Sequence, residues 1–240
     1  DTISGNLRKL IDNKNGVINV GGGNNGSLIE YATLREYLPI KKVERVLWVY
    51  NDSDLTQLGR ELKNQILVNY LQDKSFSQNV ILRKQEIQKL LLKKLNKLGD
   101  GLDSITFRFI KLYSTREVIF NKIKHYFSTP APVPTEELKN ILKLSNKLTK
   151  ENNSKLYFVY LPLYNRYAVE KQKYDLQQHK EVVEIVESLN IPIIDVHEEL
   201  FKKYDDPLSL FPFKKKGHYT EKGYQLVAEI IFNKINEFEK

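Results

Sequence analysis

INVGGGNNGSLIEYATLREYL, residues 18–38, holds four of the chain's eleven glycines. A short apolar run leads into a glycine–asparagine loop, and a helix-like pattern follows. Gly21, Gly23 and Gly26 fit the spacing G-x-G-x-x-G. Tyr31, Leu34 and Leu38 then share one helical face. Two chemistries suit such a loop. Its backbone N–H groups can hold a dinucleotide pyrophosphate at the helix N-terminus. Alternatively, one N–H can donate to an oxygen that gains negative charge during acyl transfer.

The dinucleotide reading predicts an acid after the next strand, about 20 residues on. Asp52 lies 26 positions beyond Gly26. That reading also leaves the C-terminal third without a role. On it, Gly21, Gly23 and Gly26 would bind a nucleotide.

Working outward, four segments have the composition of buried strands: 16–20, 43–50, 156–161 and 191–196. Each is a continuous run of Val, Ile, Leu or Tyr closed by polar residues, as in a parallel sheet covered on both faces. Helical periodicity fills the gaps. Leu138, Ile141, Leu142 and Leu148 stripe one helix; Tyr224, Val227, Ala228 and Ile231 stripe the last. Strands alternating with helices predict a three-layer α/β/α sandwich. Residues 55–128 are strongly charged, read as helical, and form an insertion within a single domain spanning 1–240. Their aromatic residues Phe107, Phe109, Tyr113, Phe120, Tyr126 and Phe127 suit a core. STPAPVPT, residues 128–135, closes the insertion. Thr135 is placed to cap the next helix, with Glu136 and Glu137 in its first turn.

Composition narrows the chemistry. The chain has 240 residues, 41% hydrophobic and 28% charged, which suits a packed globular domain. No apolar run approaches the roughly 20 residues of a spanning helix. The absence of Cys removes disulfides, thiolate metal sites and a Cys nucleophile. No His-x-x-x-His or carboxylate cluster has metal-ligand spacing, and no cofactor is expected. The net charge is +8, but the lysines are spread along the chain, with KKK at 214–216 their one cluster. Stacking aromatics do not interleave with them in a recognisable motif, so no nucleic-acid partner is expected. DTISGNLRKL at the start lacks the apolar core of a signal peptide, which makes the cytosol the default compartment.

LFPFKKKGHYTEKGYQLVAEIIFNKI, residues 210–235, puts His218 two residues before Thr220, which suits a helix cap. The pattern His-x-x-x-x-Gly, followed by an apolar helix, resembles the ending of the SGNH, or GDSL-type, hydrolases. INVGGGNNG resembles that family's second block, and RVLWVYNDSDL its third, a strand ending in Gly-x-Asn-Asp. KLYFVYLPLYNRY resembles its strand ending in Leu-Pro. IPIIDVHEEL resembles its last strand, ending in Ile-Asp.

The resemblance implies a flavodoxin-like α/β/α sandwich with a five-stranded parallel sheet, and hydrolysis of an acyl ester by a serine. Substrates of that kind include small esters and O-acetylated carbohydrates. His218 would be the base. The backbone at Gly23 or Asn24 would donate to the oxyanion, aided by a side chain of block three. Direct match makes that side chain Asn51; strand length makes it Ser53. Only Asn51 offers an amide, while Ser53 offers a hydroxyl. Asp52 or Asp54 would also suit a helix cap. Asp195 suits a cap for the helix after the last strand, and His197 would sit near the rim.

The chain departs from the family's pattern in two places. Lys215 and Lys216 stand where an Asp usually holds the base. The Gly-Asp-Ser block is missing. DTISGNLRKL resembles the turn and helix that follow that block, with Asp1 or Thr2 as a cap, and Ser4 is a poor substitute nucleophile. The expectation is that Asp1 marks a fragment edge, that the first strand and its serine lie upstream, and that residues 1–240 alone are inactive. The eroded motifs equally suit a non-catalytic binding module on the same fold.

Overall fold

A computed structural model describes residues 2–11, 16–99, 133–168 and 176–240. Asp1, His125 and the six aromatic residues between 107 and 127 lie outside the described residues. The chain divides into two compact units, one made of Asp1–Lys74 with Pro134–Lys240, the other Ser75–Val133.

The larger unit is mixed α/β and mostly helical, around a small parallel sheet. Its strands are β1 (Arg45–Tyr50), β2 (Lys155–Tyr160) and β3 (Ile193–Asp195), hydrogen-bonded in that order. Trp48 sits beside Phe158, which sits beside Ile193; Tyr50 and Asp195 flank Tyr160. β2 is central and buried on both faces, so its sequence alternates between two cores rather than between core and water.

One core gathers Tyr157, Val159 and Ile194 from the sheet with Leu7 of α1 (Ile3–Leu10) and Val227, Ala228 and Ile231 of α9 (Glu221–Phe238). The other face of β2 carries Leu156, Phe158 and Tyr160, all buried. There α6 (Thr135–Glu151) packs against β2 through Leu138, Ile141 and Leu142. α2 (Ser27–Tyr37) packs against α3 (Asp54–Glu61), α4 (Gln65–Gln72) and α6. α7 (Leu176–Ser188) and the one-turn α8 (Val196–Glu199) flank β3. Each fully buried Leu, Ile or Phe stabilises the fold by about 1.5–3 kcal/mol relative to exposure.

The three observed strands match three expected ones: β1 starts two residues later, β2 is shifted by one residue toward the N-terminus, and β3 is shorter by two residues at its start and one at its end. The fourth expected strand does not form. Residues 16–20 have no regular secondary structure and pair with no strand among the described residues. Val17 packs against the core and its carbonyl accepts from Arg8 Nε at 2.9 Å, yet Ile18 and Val20 are 59% and 46% exposed. Strand composition there meets no neighbour to complete a ladder.

Helix caps also sort out. Thr2, Asp195 and Thr220 cap α1, α8 and α9 through their side chains. Thr135 does not cap α6: it is the first helical residue, and Pro134 occupies the cap without a side-chain bond. α3 begins at Asp54 with Ser53 before it, so neither Asp52 nor Asp54 is its cap residue. α3 and α4 belong to the larger unit, and the Arg35 guanidinium of α2 grips the carbonyls of Tyr70, Asp73 and Lys74 at the end of α4.

In the smaller unit the described part contains α5 (Lys84–Gly99), whose first turn is tied by Arg83 to Glu86 at 2.8 Å.

Candidate functional site

Open parallel sheets bind ligands beyond the C-terminal ends of their strands, where loops collect. Here those ends deliver Asn51, Asp52 and Ser53 after β1, Leu161 and Pro162 after β2, and Asp195 at the end of β3.

Block three is a self-contained turn. The Asn51 amide donates to Asp54 Oδ1 at 3.0 Å, and its backbone N–H donates to Asp54 Oδ2 at 2.8 Å. In return, Asn51 Oδ1 accepts from the Ser53 N–H at 2.9 Å and the Ser53 hydroxyl at 2.6 Å. Both candidate oxyanion donors are therefore engaged within the turn. Asp54 is buried, and that burial pushes its carboxyl up to about 7; the Asn51 bonds oppose the shift, while Asp52 and Glu61 add to it.

The glycine loop is exposed at Gly23 and Asn24. Asn24 takes the left-handed conformation (φ 61°), which Asn tolerates better than most residues. Gly26 sits against α3, where an added Cβ would fall 2.9 Å from Leu58 N and from Gln57 Cβ. Its N–H donates to Glu61 Oε1 at 2.5 Å, while the N–H groups of Leu28 and Ile29 donate to Glu61 Oε2 at 3.0 and 3.4 Å. The N-terminus of α2 is thus filled by a carboxylate from the chain itself. The N–H groups that would hold a pyrophosphate are occupied, and the strand that should precede them is absent, so the dinucleotide reading loses its physical basis.

His218 is exposed and forms no side-chain hydrogen bond among the described residues. Its loop is nonetheless fixed. Tyr219 donates its hydroxyl to the Pro162 carbonyl at 2.5 Å, and Thr220 N–H donates to Leu210 O at 2.8 Å. Tyr164 donates to Lys214 O at 3.1 Å, holding Phe213 and Lys214 in left-handed conformations. Gly223 lies so close to Leu210 O that a Cβ would approach to 3.0 Å. Tyr219, the residue after His218, thus anchors this loop to Pro162, two residues beyond β2. No hydrogen bond joins His218 to Asn51, Ser53, Gly23 or Asn24.

A polar chain at the same strand ends escaped sequence reasoning. Tyr160 donates to Asp52 Oδ1 at 2.6 Å, and Arg166 Nη1 donates to the Tyr160 hydroxyl at 3.1 Å. Arg166 Nη2 faces His179 Nδ1 at 3.4 Å, and His179 Nε2 meets Asp195 Oδ2 at 2.8 Å. A carboxylate accepts only, so His179 Nε2 donates to Asp195. Asp195 Oδ1 takes the N–H groups of His197 and Glu198, and Tyr167 bonds His197 Nδ1 at 2.7 Å. Burial alone would raise Asp195, but the His179 bond and charge, with the two N–H groups, outweigh it and hold the carboxyl low. Burial, then the Arg166 charge, lowers His197 to about 4, so its ring is neutral near pH 7. Asp52 is raised by burial despite the Tyr160 bond. No group of three or more His, Asp or Glu is arranged to hold a metal among the described residues. Sequence alone could mark Asp195 and His197 by their strand end; nothing in it joins residue 52 to 179.

Comparison of the chain with protein-family models, curated proteins and solved structures gives no match. Among the described residues, no helix is long and apolar enough to cross a membrane.

Proposed function

We propose that this chain carries the scaffold of an SGNH-like serine ester hydrolase, acting on a small acyl ester or an O-acetylated carbohydrate. The observation that carries the reading is convergence. Block three follows β1, the Leu-Pro pair follows β2, the Ile-Asp pair ends β3, and the His218 loop is tied by Tyr219 to Pro162. Motifs far apart in sequence thus follow the C-terminal ends of neighbouring strands. In this reading His218 is the base, and the Gly23/Asn24 backbone with Ser53 or Asn51 serves the oxyanion once the turn opens to substrate. The serine enters on a further strand along the free edge of β1, completing a flavodoxin-like sheet. The chemistry is nucleophilic attack, proton removal by an oriented base, and donors aimed at developing charge.

The test is fluorophosphonate labelling of the native gene product, followed by peptide mapping. A labelled serine outside residues 1–240, lost in His218→Ala, is the expected result. His218-dependent ester hydrolysis by residues 1–240 alone would overturn the assignment of the nucleophile.

A second reading, a binding module on the same scaffold, draws on one observation. His218 faces solvent with Lys215 and Lys216 before it, and among the described residues no carboxylate bonds its ring. It predicts no label on a folded native protein.

A further inference from the structure

The net charge of this chain is not shared between its two units. Residues 75–133 hold eleven Lys and Arg against four Asp and Glu, a net of +7 out of the chain's +8. Within that unit α5 is KQEIQKLLLKKLNKLG. Ile87, Leu91 and Leu95 recur at helical spacing on one face, and Leu90 and Leu92 widen it. These side chains face water: Leu90 and Leu91 are 56% exposed, Leu92 and Leu95 52%, and Leu82 just before the helix 81%. Lys89 and Lys93 take the opposite face; Lys84 and Lys94 lie three or four positions from Ile87, Leu90 and Leu91, on the leucine side, where their long stems can run along the apolar surface and hold the charge at its rim. Glu86 is matched by Arg83, and no carboxylate pairs with these four lysines among the described residues.

We propose that α5 docks in the plane of an anionic lipid bilayer, leucines down and lysines at headgroup level. A bare apolar face has many possible occupants; charge decides among them. Nucleic acid would reward the lysines but leave five large apolar side chains in water. A second copy would reward the leucines but bring two +7 units together. An anionic bilayer satisfies both, which is the sequence signature of an interfacial helix. At 16 residues α5 lies on the membrane and does not span it. The surface stands independently of the hydrolase reading.

The experiment is co-sedimentation of the full chain with vesicles of phosphatidylcholine alone, or of equal phosphatidylcholine and phosphatidylglycerol. Binding to the anionic vesicles, and not to the neutral ones, is expected, and it weakens with salt. Each lysine at such a surface is worth roughly fivefold in partitioning, so Lys89→Gln/Lys93→Gln/Lys94→Gln weakens binding roughly a hundredfold. Leu91→Asp/Leu95→Asp abolishes it. Both sets change exposed residues, and unchanged circular dichroism and melting show that the fold persists. Failure to bind anionic vesicles at low salt overturns the proposal. So does vesicle binding indifferent to the leucine pair. Duplex DNA that outcompetes vesicles regardless of the leucine pair would assign the surface to nucleic acid instead. A dimer that dissociates in the leucine variant and ignores vesicles would assign it to a second copy.

Discussion

Three carboxylates crowd one buried corner of the larger unit. Asp54 and Glu61 raise the proton affinity of Glu30, and Glu61 adds to that of Asp54, but burial is the larger cause at both Glu30 and Asp54. Glu30 Oε2 is buried without a hydrogen-bond partner. In the unfolded chain Asp54 loses its proton near pH 4. Folded, it keeps the proton to about 7. The native state therefore binds more protons across that window, and stability falls as pH rises through it, by about 4 kcal/mol for Asp54 alone. Glu30, also raised well above the ordinary value, acts in the same direction. Glu30→Gln removes one of the charges and leaves the shape. Urea unfolding should show the variant gaining about 1 kcal/mol over the parent at about pH 8, with little gain at about pH 4. Equal effects at both values would mean that charge is not the cause.

At the scale of elements, one carboxylate joins two helices. Glu61 ends α3 and accepts three N–H groups from the start of α2, whose own cap residue, Gly26, has no side chain to do so. It satisfies the orphan donors and opposes the helix dipole in one contact. Glu61→Gln keeps an acceptor and loses the charge, costing about 1 kcal/mol; Glu61→Ala leaves buried donors unpaired and costs about 2–3 kcal/mol. Chemical denaturation measures both, and equal costs would remove the charge from the account. NAD should produce no thermal shift in the parent protein. This contact also marks where sequence legibility stops. β1, β2 and β3 were legible because strands covered on both faces are written as unbroken apolar runs. Residues 16–20 carry the same composition and form no strand, because pairing needs a neighbour that composition does not record. Thr135 looked like a cap, but the chain turns one residue earlier. Of the candidate site, the local pieces were readable: the His218 loop, Thr220 as cap, and the Asn51–Asp54 turn. The Asp52–Tyr160–Arg166–His179–Asp195 chain was not, since its members have no fixed spacing and meet only through strand order. Glu61 was equally silent, a charged residue in a helix whose partner lies 35 positions upstream.

Across the larger unit the sheet has two edge strands among the described residues, β1 and β3. β2 has neighbours on both sides, whereas β1 has one among the described residues. The carbonyls of Glu44 and Tyr50 accept from Lys155 and Leu161 of the β2 segment, so even-numbered positions of β1 face β2. Leu47 and Val49 then aim their N–H and C=O groups away from it. An unpaired, half-apolar edge is a template for another strand, and proteins rarely leave one bare. The hydrolase reading fills it with the serine-bearing strand. Amide hydrogen exchange followed by NMR tests the edge residue by residue. In residues 1–240 alone, Val46 and Trp48 should be protected along with β2, while Leu47 and Val49 exchange far faster, although all four share one strand. In the native gene product the same two amides should become as slow as those of β2. Protection of Leu47 and Val49 already present in the isolated chain would mean that the edge is covered from within. The serine would then have to reach the site by another route, and the five-stranded sheet would lose its structural argument.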